Sequence, residues 1–125
     1  MIYGIGTDIV HVTRMRESLE KYGDKFARRI LTESEFVEFN KVNNKTAFLA
    51  KRFAAKEATA KAMGTGFSDG LSLHHIGVVH DNAGKPLLEL LGVADEFVKK
   101  NNIKQKHLSL ADERDYAVAF VTLGL

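Results

Sequence analysis

The sequence predicts an α+β fold in which a mainly antiparallel sheet packs on one long central helix. Three observations carry that expectation. Residues 2 to 12 alternate in character, Lys45 to Met63 form an alanine-rich run without glycine or proline, and two strand pairs follow at 75 to 90 and 107 to 123. The implied order is β, several α, ββ, α, ββ, in one domain spanning residues 1–125.

In the first stretch Tyr3, Ile5, Thr7 and Ile9 share one strand face, and Gly4, Gly6 and Asp8 share the other, which is nearly bare. Thr13 is placed as the N-cap of a helix to about Tyr22, ended by Gly23. Met15, Leu19 and Tyr22 form its core side, and Arg14, Ser18 and Lys21 face outward. Thr32 opens a second amphipathic segment, with Glu35 as its capping-box partner and Phe36, Val37 and Phe39 as packing residues. The run from Lys45 to Met63 is the central helix, closed by Gly64 and Gly66, where positive φ is cheap. His75 to His80 and Pro86 to Leu90 form a hairpin about the turn at 81–85, and residues 92 to 101 suit a short helix. Strands His107 to Ala111 and Tyr116 to Leu123 are joined by a polar connection.

Composition excludes several classes. With 45% hydrophobic and 27% charged residues and a single proline, the 125-residue chain is neither disordered nor collagen-like. It can build one core, but a domain of this size gains a deep cleft most readily by sharing one with a neighbouring subunit. Cysteine is absent, which removes disulfides and thiolate-bound zinc and fits a reducing compartment. The N-terminus carries no basic residue before its apolar stretch and holds Asp8 in the middle, unlike a secretory signal. No apolar run approaches the roughly 20 residues of a membrane span, so a soluble cytoplasmic protein is expected. A net charge of +2 does not argue for nucleic acid, although cations cluster at 14–29 and again at Lys51, Arg52, Lys56 and Lys61.

At about 100° per residue, Glu57 falls in an arc of the central helix occupied by Ala50, Phe53, Ala54 and Ala60. The opposite side holds Phe48, Ala55 and Ala62, so the helix is buried on more than one face. A carboxylate in that setting needs a partner, a metal or a raised pKa. One partner is Lys61, at i+4 in the favourable Glu-before-Lys order. Another is a cation shared with Asp8, which projects from the bare glycine face, since glycine within a strand marks close approach of a ligand or another backbone. Two carboxylates without a His or Cys cluster favour a hard ion such as Mg²⁺, which keeps waters and takes oxygens from phosphates. Lys56, Lys61 or Arg52 would then contact phosphate or offset transition-state charge. On the residues alone, phosphoryl chemistry and a purely structural Asp8 and Glu57 both stand.

Gly4-Ile5-Gly6-Thr7-Asp8-Ile9, then Arg52-Phe53-Ala54-Ala55-Lys56-Glu57-Ala58 with Lys61 and Gly64-Thr65-Gly66 beyond, resembles the holo-acyl-carrier-protein synthases, the small branch of the 4′-phosphopantetheinyl transferases. The resemblance extends through Asn82-Ala83-Gly84-Lys85-Pro86 and His107-Leu108-Ser109-Leu110, essentially the whole chain. It implies transfer of the 4′-phosphopantetheine group of coenzyme A to a serine of an acyl carrier protein, with release of 3′,5′-ADP, in support of fatty acid biosynthesis. It makes Asp8 and Glu57 the metal ligands, with Lys61 as the third catalytic residue beside the phosphates, and puts Arg52, Lys56, Gly64 and Gly66 near coenzyme A. It further implies a homotrimer with active sites between subunits, where Asn82, Gly84, Lys85 and Pro86 complete the neighbour's nucleotide pocket and Ser109 is a substrate contact or simply a strand hydroxyl. Carrier proteins are acidic around the modified serine, so Arg14, Lys21, Lys25 and Arg28 are the expected docking cations.

One departure matters: Asp112 stands where many members have a second histidine, so no role of that histidine carries over. His74, His75 and His80 lack metal spacing, and Gly84-Lys85 lacks the rest of a Walker A motif. Two rival readings use the same residues. A metal-dependent nucleotide hydrolase would need no protein acceptor. A non-catalytic nucleic-acid-binding module would use the two basic clusters, against a near-neutral total charge and without a recognition motif.

Overall fold

In a computed structural model that describes residues 1–125, the alternating N-terminal stretch is strand β1 (Ile2–His11). Helices α1 (Val12–Tyr22), α2 (Asp24–Ile30), α3 (Glu33–Phe39) and α4 (Lys45–Met63) follow. A 3₁₀ turn at Leu73–His75 leads into strands β2 (Ile76–His80) and β3 (Pro86–Leu90), helix α5 (Gly92–Lys100), and strands β4 (Gln105–Asp112) and β5 (Tyr116–Gly124). The strands form two antiparallel sheets: β1-β5-β4, with Asp8 opposite Ala119, and the hairpin β2-β3. The expected order of elements and the α+β class are as the sequence implies, but the expected sheet is divided in two.

The bare face of β1 is the packed one. A Cβ on Gly4 would lie 2.0 Å from the carbonyl oxygen of Ala62, and one on Gly6 would lie 1.9 Å from that of Ala58. The two glycines therefore let the β1 backbone rest directly on the α4 backbone, so the close neighbour that glycine signalled is a helix. Ala117 and Ala119 of β5 and Ala54, Ala55, Ala58 and Ala62 of α4 are likewise buried, keeping sheet and helix close. Their small size explains why a helix so rich in alanine is central.

Several local expectations need correction. His11, not Thr13, caps α1, its Nδ1 accepting from the Thr13 amide at 3.3 Å, and Val12 is already helical and buried. Tyr22 is 54% exposed and not on the core side, because α1 ends beside it at Gly23 (φ 62°) and the chain turns directly into α2. Val37 is also exposed, leaving Phe36 and Phe39 to pack α3. Residues 73–75 wind into a capped turn before β2 begins, with the Ser72 hydroxyl accepting from the His74 amide at 3.1 Å. The capping box of Thr32 and Glu35 and the bounds of α4 follow the sequence reading.

Candidate active site

Asp8 reaches the edge of the sheet–helix interface from β1, one residue pair beyond the glycines, and Glu57 reaches it from the middle of α4. Both line a cleft of about 550 Å³ with His11, Arg14, Ser18 and Arg29, against an apolar wall of Val10, Met15, Phe26, Ile30, Phe53 and Leu73. The arrangement follows from the packing. Gly4 and Gly6 seat the strand, so the next residue on that face, Asp8, emerges where the helix surface turns toward α1 and α2.

The lysine expected beside Glu57 pairs elsewhere. Lys61 Nζ donates to Asp8 Oδ1 at 3.1 Å and to the Thr7 carbonyl at 3.0 Å, with its side chain 55% exposed. The Glu57 carboxylate has no ion-pair or hydrogen-bond partner in the chain and stands half-buried. Burial first, and then the like charge of Asp8, raise its pKa above the ordinary value, opposed by Lys61. The donor set suits a hard divalent cation: two carboxylates from rigid elements, one of them without a protein partner.

That raised pKa has a measurable consequence. The folded chain holds the Glu57 proton more tightly than the unfolded chain, so its contribution to stability is full below the unfolded-state pKa and is lost as pH rises through the folded one. At neutral pH, where the unfolded chain is ionised at this position, Glu57 opposes folding. Glu57→Gln is therefore expected to raise the thermal midpoint at neutral pH without divalent ions, and the gain should vanish toward about pH 4. Equal midpoints for the two proteins at neutral pH would show that Glu57 is not electrostatically strained.

The other candidate residues are distributed over the molecule. Gly64 (φ 80°) closes α4 in the left-handed conformation and Gly66 (φ 60°) follows in the same region, so both have conformational roles three and five residues beyond Lys61. Arg52 is 3% exposed, its guanidinium 4.2 Å from the Phe48 ring centre and 3.5 Å from Glu38 Oε1. It lines a second cleft with Lys51, His80, Pro86 and Asp112, and Asp112 pairs with Lys51 at 3.5 Å. Asn82, Gly84 and Lys85 lie in the exposed β2–β3 turn, where Asp81 Oδ1 accepts from the Ala83 and Lys85 amides, both at 2.9 Å. None of the residues 82–86 lines the Asp8–Glu57 cleft of the same chain, and Ser109 lies on the exposed strand β4 opposite Phe120.

Lys56 requires a correction. It has no exposed surface: Nζ donates to Glu35 Oε1 at 2.7 Å, to the Leu73 carbonyl at 3.1 Å and to the Ile76 carbonyl. With all three ammonium protons engaged, it has none to offer a phosphate. The docking cations are also less uniform than expected. Arg14 enters the cleft, Lys21 lies over the Tyr22 ring, Lys25 is exposed and Arg28 turns onto the Phe36 ring at 4.1 Å. Arg29, His11 and Ser18, none of them among the expected site residues, also line the cleft. The i, i+4 spacing of Phe26 and Ile30 would have exposed α2 and hence Arg29.

Comparison with known proteins shows the family. The pattern of the 4′-phosphopantetheinyl transferase superfamily matches residues 4–121, and the chain belongs to that superfamily. Its relatives there are holo-acyl-carrier-protein synthases. The protein of that name from Nitrosococcus oceani is 57% identical over 123 residues, covering 98% of this chain and 80% of that one. The crystal structure of the Neisseria meningitidis holo-acyl-carrier-protein synthase superposes with a TM-score of 0.93 at 45% identity, each chain wholly covered. That of the Bacillus anthracis synthase in complex with CoA (3′,5′-ADP) does so with a TM-score of 0.82 at 39% identity, over 98% of this chain and 96% of that one.

Proposed function

We infer that this chain transfers the 4′-phosphopantetheine group of coenzyme A to a serine hydroxyl of an acyl carrier protein, as a holo-acyl-carrier-protein synthase. The observation that carries the residue assignment is the meeting of Asp8 and Glu57 in one cation-flanked cleft, with Glu57 unpaired. Asp8 and Glu57 would hold Mg²⁺, which when bound supplies Lewis-acid stabilisation of the diphosphate. Lys61, anchored by Asp8 and the Thr7 carbonyl yet half in solvent, adds positive charge where the phosphates enter. The serine oxygen bonds to the β-phosphorus, the bond from that phosphorus to the bridging oxygen breaks, 3′,5′-ADP leaves, and the hydroxyl proton is released. Arg14 and Arg29, exposed residues that line the cleft, would meet acidic groups of the carrier protein.

The test is to incubate the chain with coenzyme A, Mg²⁺ and an apo carrier protein and weigh the carrier. A gain in mass by the phosphopantetheine arm is expected. Release of free 4′-phosphopantetheine with the carrier unchanged would indicate a hydrolase. In the same assay Arg14→Glu with Lys21→Glu should raise the carrier-protein KM and flatten its salt dependence. An unaltered carrier KM would move docking off α1.

A homotrimer fits two further features. Ile5 and Ile9, 58% and 63% exposed, join Tyr3, Tyr116 and Phe120 as an uncovered apolar face of the β1-β5-β4 sheet. The turn at 82–86 and Arg52 lie away from the Asp8–Glu57 cleft, so a site using both draws them from different copies. Mixing Glu57→Ala with a variant crippled at Lys85 and Pro86 should restore activity through sites that receive both intact halves. A fully active monomer in light scattering would rule the trimer out. No helix is long and apolar enough to cross a membrane.

A further inference from the structure

We propose that Lys56 is a positioning residue: with Glu35 it fastens the wall of the cleft to α4 beside Glu57, and it does not contact coenzyme A. The inference rests on the reading of the Asp8–Glu57 cleft as the active site.

Lys56 and Glu35 are both buried, with 0% and 1% of their surface exposed. Their 2.7 Å contact is the centre of a larger junction. Glu35 Oε1 also accepts from the Thr32 amide at 2.9 Å, and Glu35 Oε2 accepts from the Val78 amide at 2.9 Å. Lys56 Nζ reaches the carbonyls of Leu73 and Ile76. One ion pair therefore joins the start of α3, the middle of α4, the 3₁₀ turn and the first residues of β2. Leu73 is the link to function, because it lines the same cleft as Glu57 while its carbonyl is held by Lys56.

The geometry divides the work of placing Glu57. Contact of Gly4 with Ala62 and of Gly6 with Ala58 sets how closely α4 approaches β1, and buried residues round the rest of α4 pack it against its other neighbours. Lys56 is the residue before Glu57 and points about 100° away from it, toward α3 and β2, so anchoring Lys56 ties the cleft wall at Leu73 to the turn of α4 that carries Glu57. A buried ion pair adds little net stability compared with well-packed apolar side chains, whereas its fixed directions hold a definite arrangement. The nearby Arg52 Nε, 3.8 Å from Glu35 Oε2 and without a hydrogen-bond partner, does not replace Lys56.

The test compares Lys56→Met, Glu35→Gln and the double variant, with Glu57→Ala assayed alongside. Readouts are kcat, the coenzyme A dissociation constant by calorimetry, and amide hydrogen exchange across residues 73–78. Lys56→Met is expected to lower kcat about a hundredfold, to leave the coenzyme A dissociation constant unchanged, and to speed exchange at 73–78. Glu35→Gln should act in the same direction although α3 contributes nothing to the cleft, and the double variant should be less impaired than the two losses combined. The double variant removes both buried charges, so it keeps the comparison open if a single variant fails to fold.

Coenzyme A binding weakened about tenfold or more in Lys56→Met with normal exchange at 73–78 would overturn the proposal and restore a phosphate contact. Unchanged kcat in a folded Lys56→Met or double variant would overturn it as well. Full turnover by Glu57→Ala would instead remove the active-site reading, and exchange at 73–78 would still decide whether Lys56 holds that wall.

Discussion

Asp8→Ala and Glu57→Ala should each lose turnover about a thousandfold while retaining a wild-type circular dichroism spectrum. The expected loss is large because each variant deletes one of only two carboxylates in the cleft. No group of three metal-binding side chains exists in the structure to supply a substitute. The fold should survive in both cases for different reasons. Glu57 is half-exposed and unpaired, so its removal breaks no contact. Asp8 gives up its ion pair, but Lys61 keeps the Thr7 carbonyl and has water within reach of its exposed end. Rate measured against Mg²⁺ concentration separates the assignments, since a lost ligand shows as a need for far more metal as well as a lower plateau. Near-normal turnover of either variant at ordinary Mg²⁺ would end the assignment of that residue.

The second large effect is structural in origin. Gly6→Ala places a Cβ 1.9 Å from the Ala58 carbonyl oxygen, where no rotamer change can relieve the clash because both atoms belong to backbone-fixed groups. β1 must lift from α4, at a cost of about 3 kcal/mol or more, which should appear as a large drop in the urea midpoint. Turnover should fall further than the loss of folded protein explains, because Asp8 is two residues along the same strand face. Displacing a catalytic group by about 1 Å can cost on the order of a hundredfold. Gly4→Ala meets Ala62 at 2.0 Å and should behave similarly in stability. A Gly6→Ala protein with wild-type midpoint and rate would mean that this backbone contact does not set the site.

These glycines show how far the residues alone can be read. An unusually bare strand face signals that something must come close, but nothing local distinguishes a phosphate from a helix. The same limit applies to Glu57. Its helical position among alanines and a phenylalanine marks it as a carboxylate in need of a partner, and the i+4 lysine is the local candidate. In the fold Lys61 spans to β1 and takes Asp8, 53 residues away in sequence. The candidate chemistry was legible because strand and helix periodicities identify faces. The pairing was not, because it depends on how two elements distant in sequence are docked.

Taken by itself, the sequence determined the properties that depend on near neighbours in the chain. These are the 45–63 helix and its glycine stop, the Thr32–Glu35 cap, the hairpin at 76–90, and the motif resemblance that led to the phosphopantetheinyl transferases. Tertiary structure alone decided which faces are covered. It turned Gly4 and Gly6 onto α4, left Ile5 and Ile9 in solvent, brought Arg29 to the cleft, and divided the expected sheet between β1-β5-β4 and β2-β3. It also took Lys56 out of reach of any phosphate. A lysine within a catalytic motif is chemically suited to binding an anion, and only long-range packing shows that the anion already there is the carboxylate of Glu35.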